Sequence, residues 1–283
     1  MNKSPDPVVS TEWLFARLTD RRLAILDGSW FMPGSDRDAR AEFTRGHVPG
    51  AVFFDIDAVS DHSSDLPHML PSPAEFAVAA RRLGVRADDT VVVYDSQGLF
   101  SAPRVWWTFR AMGHPNVFVL DGGLPAWVDG GHPLEQGWPR LKRGAFKARP
   151  VPGLVRDLFA VRSVLASGDE QLVDARPTAR FTGAAPEPRP GLRRGHMPGA
   201  LNTPFTEVVT HNGRLASAEA LRAAFQQAGV DLARPIVTTC GSGISAAVLA
   251  LALARIGRDD VAVYDGSWAE WGGRADTPIA TGR

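Results

Sequence analysis

The chain has 283 residues, with 31 basic and 31 acidic side chains, so its formal net charge is zero. That balance argues against a general nucleic-acid or membrane-surface binder, which carries a basic excess, and any anion site must be local. Hydrophobic residues make up 44% and charged residues 22%, enough apolar material for one large or two ordinary globular domains. Residues 1–10 hold one lysine and no apolar segment, unlike a secretory signal. The longest apolar run, residues 246–254, stops at Arg255, far short of the roughly 20 residues that a membrane-crossing helix needs. The expectation is a soluble, cytoplasmic protein.

In chain order, short apolar runs alternate with helical patterns. Residues 23–26 read as a buried strand, 73–83 as a helix, 91–94 as a strand, 103–112 as a helix and 117–120 as a strand. Residues 136–157 hold Pro139, Pro150 and Pro152 and a basic cluster (Arg140, Lys142, Arg143, Lys147, Arg149) with weak periodicity. This segment reads as a solvated linker rather than a nucleic-acid patch. Then come a strand at 171–173, a helix at 217–228, a strand at 236–239, a helix at 245–256 and a strand at 261–264. Strand-helix alternation of this kind predicts an α/β fold, with parallel sheets covered by helices on both faces.

The chain also repeats itself once. Arg45-Gly46-His47-Val48-Pro49-Gly50-Ala51 returns as Arg194-Gly195-His196-Met197-Pro198-Gly199-Ala200. Leu26-Asp27 returns as Val173-Asp174. Leu120-Asp121-Gly122-Gly123 with Trp127 returns as Tyr264-Asp265-Gly266-Ser267 with Trp271. Matched blocks in one order indicate a duplicated fold. The expected organisation is one domain over residues 8–135, a linker over 136–157 and a second domain over 158–283. His47 and His196 occur in both copies, which points to turn stabilisation rather than catalysis or metal binding.

There is a single cysteine, Cys240. It excludes an intramolecular disulfide framework and a zinc site built on several thiolates. A lone cysteine is most often a small buried hydrophobe. Its neighbours argue otherwise: the β-branched run 236–239 leads into Cys240-Gly241-Ser242-Gly243-Ile244-Ser245 and then an Ala/Leu-rich helix. A strand, a tight loop and a helix start turn backbone N–H groups inward at the carboxyl end of a sheet. Such a cradle favours a thiolate over a thiol, and a persulfide anion for the same reason. A phosphate-binding loop fits poorly, because no lysine follows the last glycine.

The duplicated blocks and the six-residue loop from Cys240 to Ser245 resemble those of tandem rhodanese-like sulfurtransferases over nearly the whole chain. The resemblance implies two tandem rhodanese-like domains, the first inactive and the second catalytic. The position matching Cys240 in the first copy is about Asp95, which cannot carry sulfur. Cys-Gly-Ser-Gly-Ile-Ser is similar to the Cys-Gly-Ser-Gly-Val-Thr loop of mercaptopyruvate-type members. Thiosulfate-type members instead carry basic residues where Gly241 and Ser242 stand. The stretch from Ala179 to Gly191 resembles a mercaptopyruvate-type insertion, which implies Arg180 and Arg189 as substrate-binding residues. Guanidinium forks suit a 2-oxo acid's carboxylate. From composition alone, both would be surface residues of a proline-rich loop.

The resemblance further implies a relay of Asp57 and His68 in the first domain with Ser242, managing protons rather than acyl transfer. The alternative is that Asp57 and His68 cap turns. A departure from the family is Leu66-Pro67 before His68, where an acidic residue is common. Trp30 and Phe100 fall where the family places aromatic pocket walls, with core packing as the alternative. Loop residues Gly241, Gly243, Ile244 and Ser245 complete the expected substrate-binding set around catalytic Cys240. The implied reaction takes sulfur from 3-mercaptopyruvate through a Cys240 persulfide to a thiol acceptor or cyanide, releasing pyruvate. The partners are then a small-molecule sulfur donor and a thiol acceptor such as a thioredoxin-like protein, with no metal and no organic cofactor. The competing readings are a thiosulfate:cyanide sulfurtransferase on the same fold, a phosphatase of related architecture, and a sulfur-relay module serving a protein partner. The phosphatase needs a longer loop and an arginine that Cys240 to Ser245 lack.

Overall fold

The computed structural model describes residues 6–282. Residues 1–5 of the segment inspected for a signal, and Arg283 at the end of the second expected domain, lie outside the described residues. The first lobe contains β1 (Val8–Val9), β2 (Leu23–Asp27), β3 (Ala51–Phe53), β4 (Thr90–Tyr94) and β5 (Val117–Leu120). Its helices are α1 (Thr11–Phe15), α2 (Ala39–Arg45), α3 (Pro73–Arg82), α4 (Ala102–Ala111) and α5 (Gly123–Asp129). The second lobe contains β6 (Val155–Arg156), β7 (Gln171–Asp174), β8 (Leu201–Asn202), β9 (Ile236–Thr239) and β10 (Ala262–Tyr264). Its helices are α6 (Leu158–Ser167), α7 (Thr178–Phe181), α8 (Ala218–Gln227), α9 (Ile244–Arg255) and α10 (Ser267–Trp271).

Both sheets are parallel and five-stranded, with orders β1-β5-β4-β2-β3 and β6-β10-β9-β7-β8. The two orders are the same topology written twice, as the sequence repeat predicts. The central strands β4 and β9 are apolar and β-branched, and both are nearly fully buried. Their carboxyl ends deliver Asp95 and Cys240 to equivalent places. Helix starts follow local chemistry: Ser72 caps α3 in a capping box with Glu75, with Pro73 in the first turn, and Ser217 caps α8.

Helix α9 is buried on nearly every face. One face lies on its own sheet, and another packs against α4 of the first lobe. That explains a run without amphipathic period, since a helix apolar all round is a buried one. The segment expected as a solvated linker differs from that picture at two points. Phe146 is buried against Phe76 and Phe109, and Val155–Arg156 form the edge strand β6 paired with β10. The basic side chains between them are exposed. The physical reason is that one aromatic and one short β-branched stretch suffice to tie a proline-rich connection to both lobes. We propose that the second domain begins at Val155.

Candidate active site

Cys240 follows β9 directly and is anchored by its backbone. Its carbonyl accepts from Trp268 N at 2.9 Å, and the Gly241 carbonyl accepts from Ala269 N at 2.8 Å, both amides of α10. Cys240 N donates to Ser267 Oγ at 3.3 Å. Gly243, at φ +80°, then turns the chain into α9. A side chain there would be strained by its backbone and would meet Arg104 at 2.6 Å.

The first copy shows what this loop shape is for. Asp95, fully buried, accepts N–H bonds from Gln97, Phe100, Ser101 and Ala102 at 2.8–2.9 Å. A fixed carboxylate thus occupies a ring of inward amides in the lobe without a thiol. In the second copy no hydrogen bond reaches Cys240 Sγ itself among the described residues. Cys240 is only 2% exposed, yet it forms part of the wall of a cavity of about 500 Å³ between the lobes. The thiol is sheltered but borders open space.

Gly241, Ser242, Ile244, Ser245, Arg180 and Arg189 line that cavity with Cys240, opposite Trp30 and Phe100 of the first lobe. Phe100 also meets Phe205 across the cleft, with ring centroids 5.5 Å apart. Gly243 does not line the cavity; its carbonyl faces Arg104 Nη1 at 3.5 Å. The two arginines differ in their balance of charge. Arg180 is forked onto Glu187 at 2.5 and 3.3 Å. Glu187 is itself held by Arg176, which is buried over the Trp268 ring and doubly bonded to Asp174. Arg189 has no carboxylate within ion-pair distance among the described residues. Its Nη1 donates to Ser242 Oγ at 3.2 Å, and its Nη2 lies 3.3 Å from His68 Nε2. Burial lowers its pKa, and the nearby Cys240 opposes that.

Asp57 and His68 stand behind Arg189. His68 Nδ1 lies 2.9 Å from Asp57 Oδ1, an ion-pair distance whose direction falls short of an aligned hydrogen bond. Trp30 Nε1 donates to Asp57 Oδ2 at 3.1 Å, and the Trp30 ring meets His68 edge-on at 4.8 Å. The close contact with His68 lowers the Asp57 pKa. Burial lowers that of His68; Asp57 pulls the other way, and Arg104 and Arg189 add to the lowering. His68 holds φ +61°, unusual for a side chain of its size and a form of strain that gathers at functional sites. No direct hydrogen bond joins His68 to Ser242 among the described residues, because the Arg189 guanidinium lies between them.

Sequence reasoning passed over Glu187, Arg176, Arg104 and Asp265. Arg104 carried a visible signal, a cation in the first turn of the mostly buried helix α4, and Asp265 stood in a repeated block. His47 and His196 are equivalent, as their repetition implies: each ring stacks on a phenylalanine, Phe43 or Phe181, and its Nδ1 faces that residue's carbonyl at 2.8 Å. Among the described residues, no group of three or more His, Cys, Asp or Glu is placed to hold a metal ion, and no helix is long and apolar enough to cross a membrane.

A duplicated parallel-sheet fold with one thiol at a strand end, facing a cationic cleft, defines a class of cysteine group-transfer proteins. The chain belongs to the rhodanese-like family: the model of the rhodanese-like domain matches residues 10–129 and 160–274. It is 48% identical over 272 residues to the 3-mercaptopyruvate sulfurtransferase of Escherichia coli K12, covering 96% of each chain. It is 46% identical to that of Homo sapiens, covering 98% of this chain and 96% of the human one. The crystal structure of SseA from Escherichia coli, described as a 3-mercaptopyruvate sulfotransferase of rhodanese fold, aligns with a TM-score of 0.86 and 44% identity. That alignment covers 93% of this chain and 99% of SseA.

Proposed function

We propose that this chain is a sulfurtransferase that takes sulfur from 3-mercaptopyruvate through a persulfide on Cys240. The observation that carries the reading is the cavity itself. It sets the only cysteine beside Arg189, a guanidinium without a carboxylate partner among the described residues, while the loop residues next to the thiol are the uncharged Gly241 and Ser242. A monoanionic 2-oxo acid fits that charge pattern better than a dianion does. The relatives named for 3-mercaptopyruvate point the same way.

In this mechanism the Cys240 thiolate attacks the substrate's sulfur. The carbon–sulfur bond breaks, and its electron pair leaves with the carbon as the enolate of pyruvate. The outer sulfur keeps the substrate's thiol proton, which then passes to the enolate carbon and leaves an anionic persulfide. Arg189, aided by Arg180, holds the carboxylate and oxo oxygens, where negative charge develops. Ser242 carries the proton, with His68 and Asp57 behind it, once the substrate's carboxylate draws the Arg189 fork away from them. The loop amides, whose counterparts in the first copy gather around Asp95, would hold the outer sulfur. An acceptor thiolate or cyanide attacks that sulfur and returns Cys240 as thiolate. A thioredoxin-like acceptor and a cytoplasmic location belong to the same reading, since a thiol that must stay reduced suits a reducing compartment.

Intact-mass measurement after incubation with each donor alone tests the proposal. Mercaptopyruvate should add one sulfur to the wild type and none to Cys240→Ser, which should also have no turnover. A wild-type mass unchanged by mercaptopyruvate would refute it.

A further inference from the structure

Arg104 is 2% exposed and lies in α4, in the lobe that has no nucleophile. A cation in so apolar a place is costly unless every contact is satisfied. All its polar partners surround the candidate site. Nη2 donates to Asp265 Oδ1 at 2.7 Å and to the His68 carbonyl, and Nη1 faces the Gly243 carbonyl. Trp107 stacks beneath the guanidinium, 4.5 Å from its carbon. The other oxygen of Asp265 accepts from Leu70 N at 2.6 Å. One planar fork therefore ties the loop carrying His68 to both segments that flank the nucleophile, the Cys240 loop and the end of β10.

The repeat supplies a comparison inside the same molecule. Asp121 is the counterpart of Asp265, and its Oδ1 accepts from Leu215 N at 2.8 Å across the same interface. The backbone-to-carboxylate latch thus exists in both directions. Asp121 is only half-buried and has no arginine within ion-pair distance among the described residues. The buried cation was added only to the latch beside the thiol. A device for joining lobes would serve equally at either place; one for placing His68 belongs only here.

We propose that Arg104 is a positioning residue for sulfur transfer, whose guanidinium fixes the His68 ring relative to the Cys240 loop through Asp265 and the Gly243 carbonyl. The groups facing His68 are Asp57, Arg104, Arg189 and the edge-on Trp30 ring, so its ionisation reports on the placement. The kinetic half of the idea rests on the sulfurtransferase reading; the ionisation half does not.

The test uses the full chain with ring-labelled histidine and the variants Arg104→Gln and Arg104→Lys, each checked for folding by its melting curve. In Arg104→Gln, kcat with mercaptopyruvate should fall roughly 100-fold, as misplacement of a reacting group does. KM should move by less than about threefold, as when an interaction made only in the transition state is lost. Arg104→Lys keeps the charge but not the fork and should recover part of kcat. In donor-free samples the His68 titration should move upward in Arg104→Gln, because a facing cation is gone, and stay low in Arg104→Lys. A folded Arg104→Gln with wild-type kcat and an unmoved His68 titration overturns the proposal. If that variant does not fold, Asp265→Asn carries the test: a fall in kcat at steady KM supports the idea, and wild-type turnover overturns it. If the wild type takes no sulfur from mercaptopyruvate, the functional reading fails, and the His68 titration alone decides for or against Arg104.

Discussion

Two arginines reach the cavity, and the residues around them give them different work. Arg180 ends a chain of charges, Asp174–Arg176–Glu187–Arg180, that holds its guanidinium beside Gly241. Paired in this way, it orients more than it neutralises. Arg189 keeps its charge for the ligand. Arg189→Ala should therefore raise KM for mercaptopyruvate by roughly 30-fold, the equivalent of about 2 kcal/mol for a lost charge-assisted contact. The effect on thiosulfate should be clearly smaller in a side-by-side assay; an equal effect on both donors would remove the carboxylate role. His68 gives a prediction in pH. Burial holds its folded pKa below the ordinary histidine value of 6.5, so the neutral ring persists into mild acid. Turnover that needs the neutral ring should be full at neutral pH and lost only as pH falls through that lowered value. The stability sign agrees: on acidification the unfolded chain binds the proton first, so His68 costs stability as pH drops from 6.5 towards the folded value. A profile of log kcat against pH checks this, and the acid limb should disappear in His68→Asn. An unchanged limb in that variant would show that another group titrates there.

At the scale of elements, the local signals were strong where an element is self-sufficient. The central strands β4 and β9 and the helices α3, α4, α8 and α9 fall within a residue or two of their expected limits, because β-branched runs, caps and helix formers act locally. The two-residue strands β1, β6 and β8 carry no such signal; a neighbouring strand makes them strands. The site divides in the same way. The Cys240 loop is legible because strand, glycines and helix start are adjacent in sequence, and Arg180 and Arg189 because an insertion resembles a family pattern. Arg104 and Asp265 are 161 residues apart, and their meaning exists only where the lobes touch. Glu187 was in plain view, but nothing local says which cations it will hold. The loop-to-helix junction yields its own test. Gly243→Ala combines a left-handed backbone with a contact of 2.6 Å to Arg104, so it should cost at least about 1 kcal/mol of stability. It should also lower kcat by displacing the loop amides. A melting curve and a steady-state assay on the same sample measure both, and a variant indistinguishable from wild type would show that the loop adjusts freely.

At the scale of the whole molecule, the lobes share more than a cleft. One apolar cluster runs without a break from Phe54, Trp106 and Phe109 in the first lobe to Leu249, Leu253 and Val263 in the second, with α4 against α9 at its centre. The backbones also meet closely: a Cβ on Gly98 would lie 2.8 Å from the Cα of Gly213, so only glycines allow this approach. Separating the lobes would expose the apolar faces of both helices and break the Arg104–Asp265 pair that joins them. Neither lobe can then retain its structure while the other melts, and the chain should unfold as one cooperative unit despite its two sheets. Tryptophan fluorescence reports mainly on the first lobe, since only Trp268 and Trp271 of the eight tryptophans lie in the second, whereas far-ultraviolet circular dichroism reports on both. The two urea curves should superimpose, with one midpoint. A fluorescence midpoint separated from the dichroism midpoint would mean that the lobes are held together only weakly, and a cleft assembled from both would then open in the native state as well.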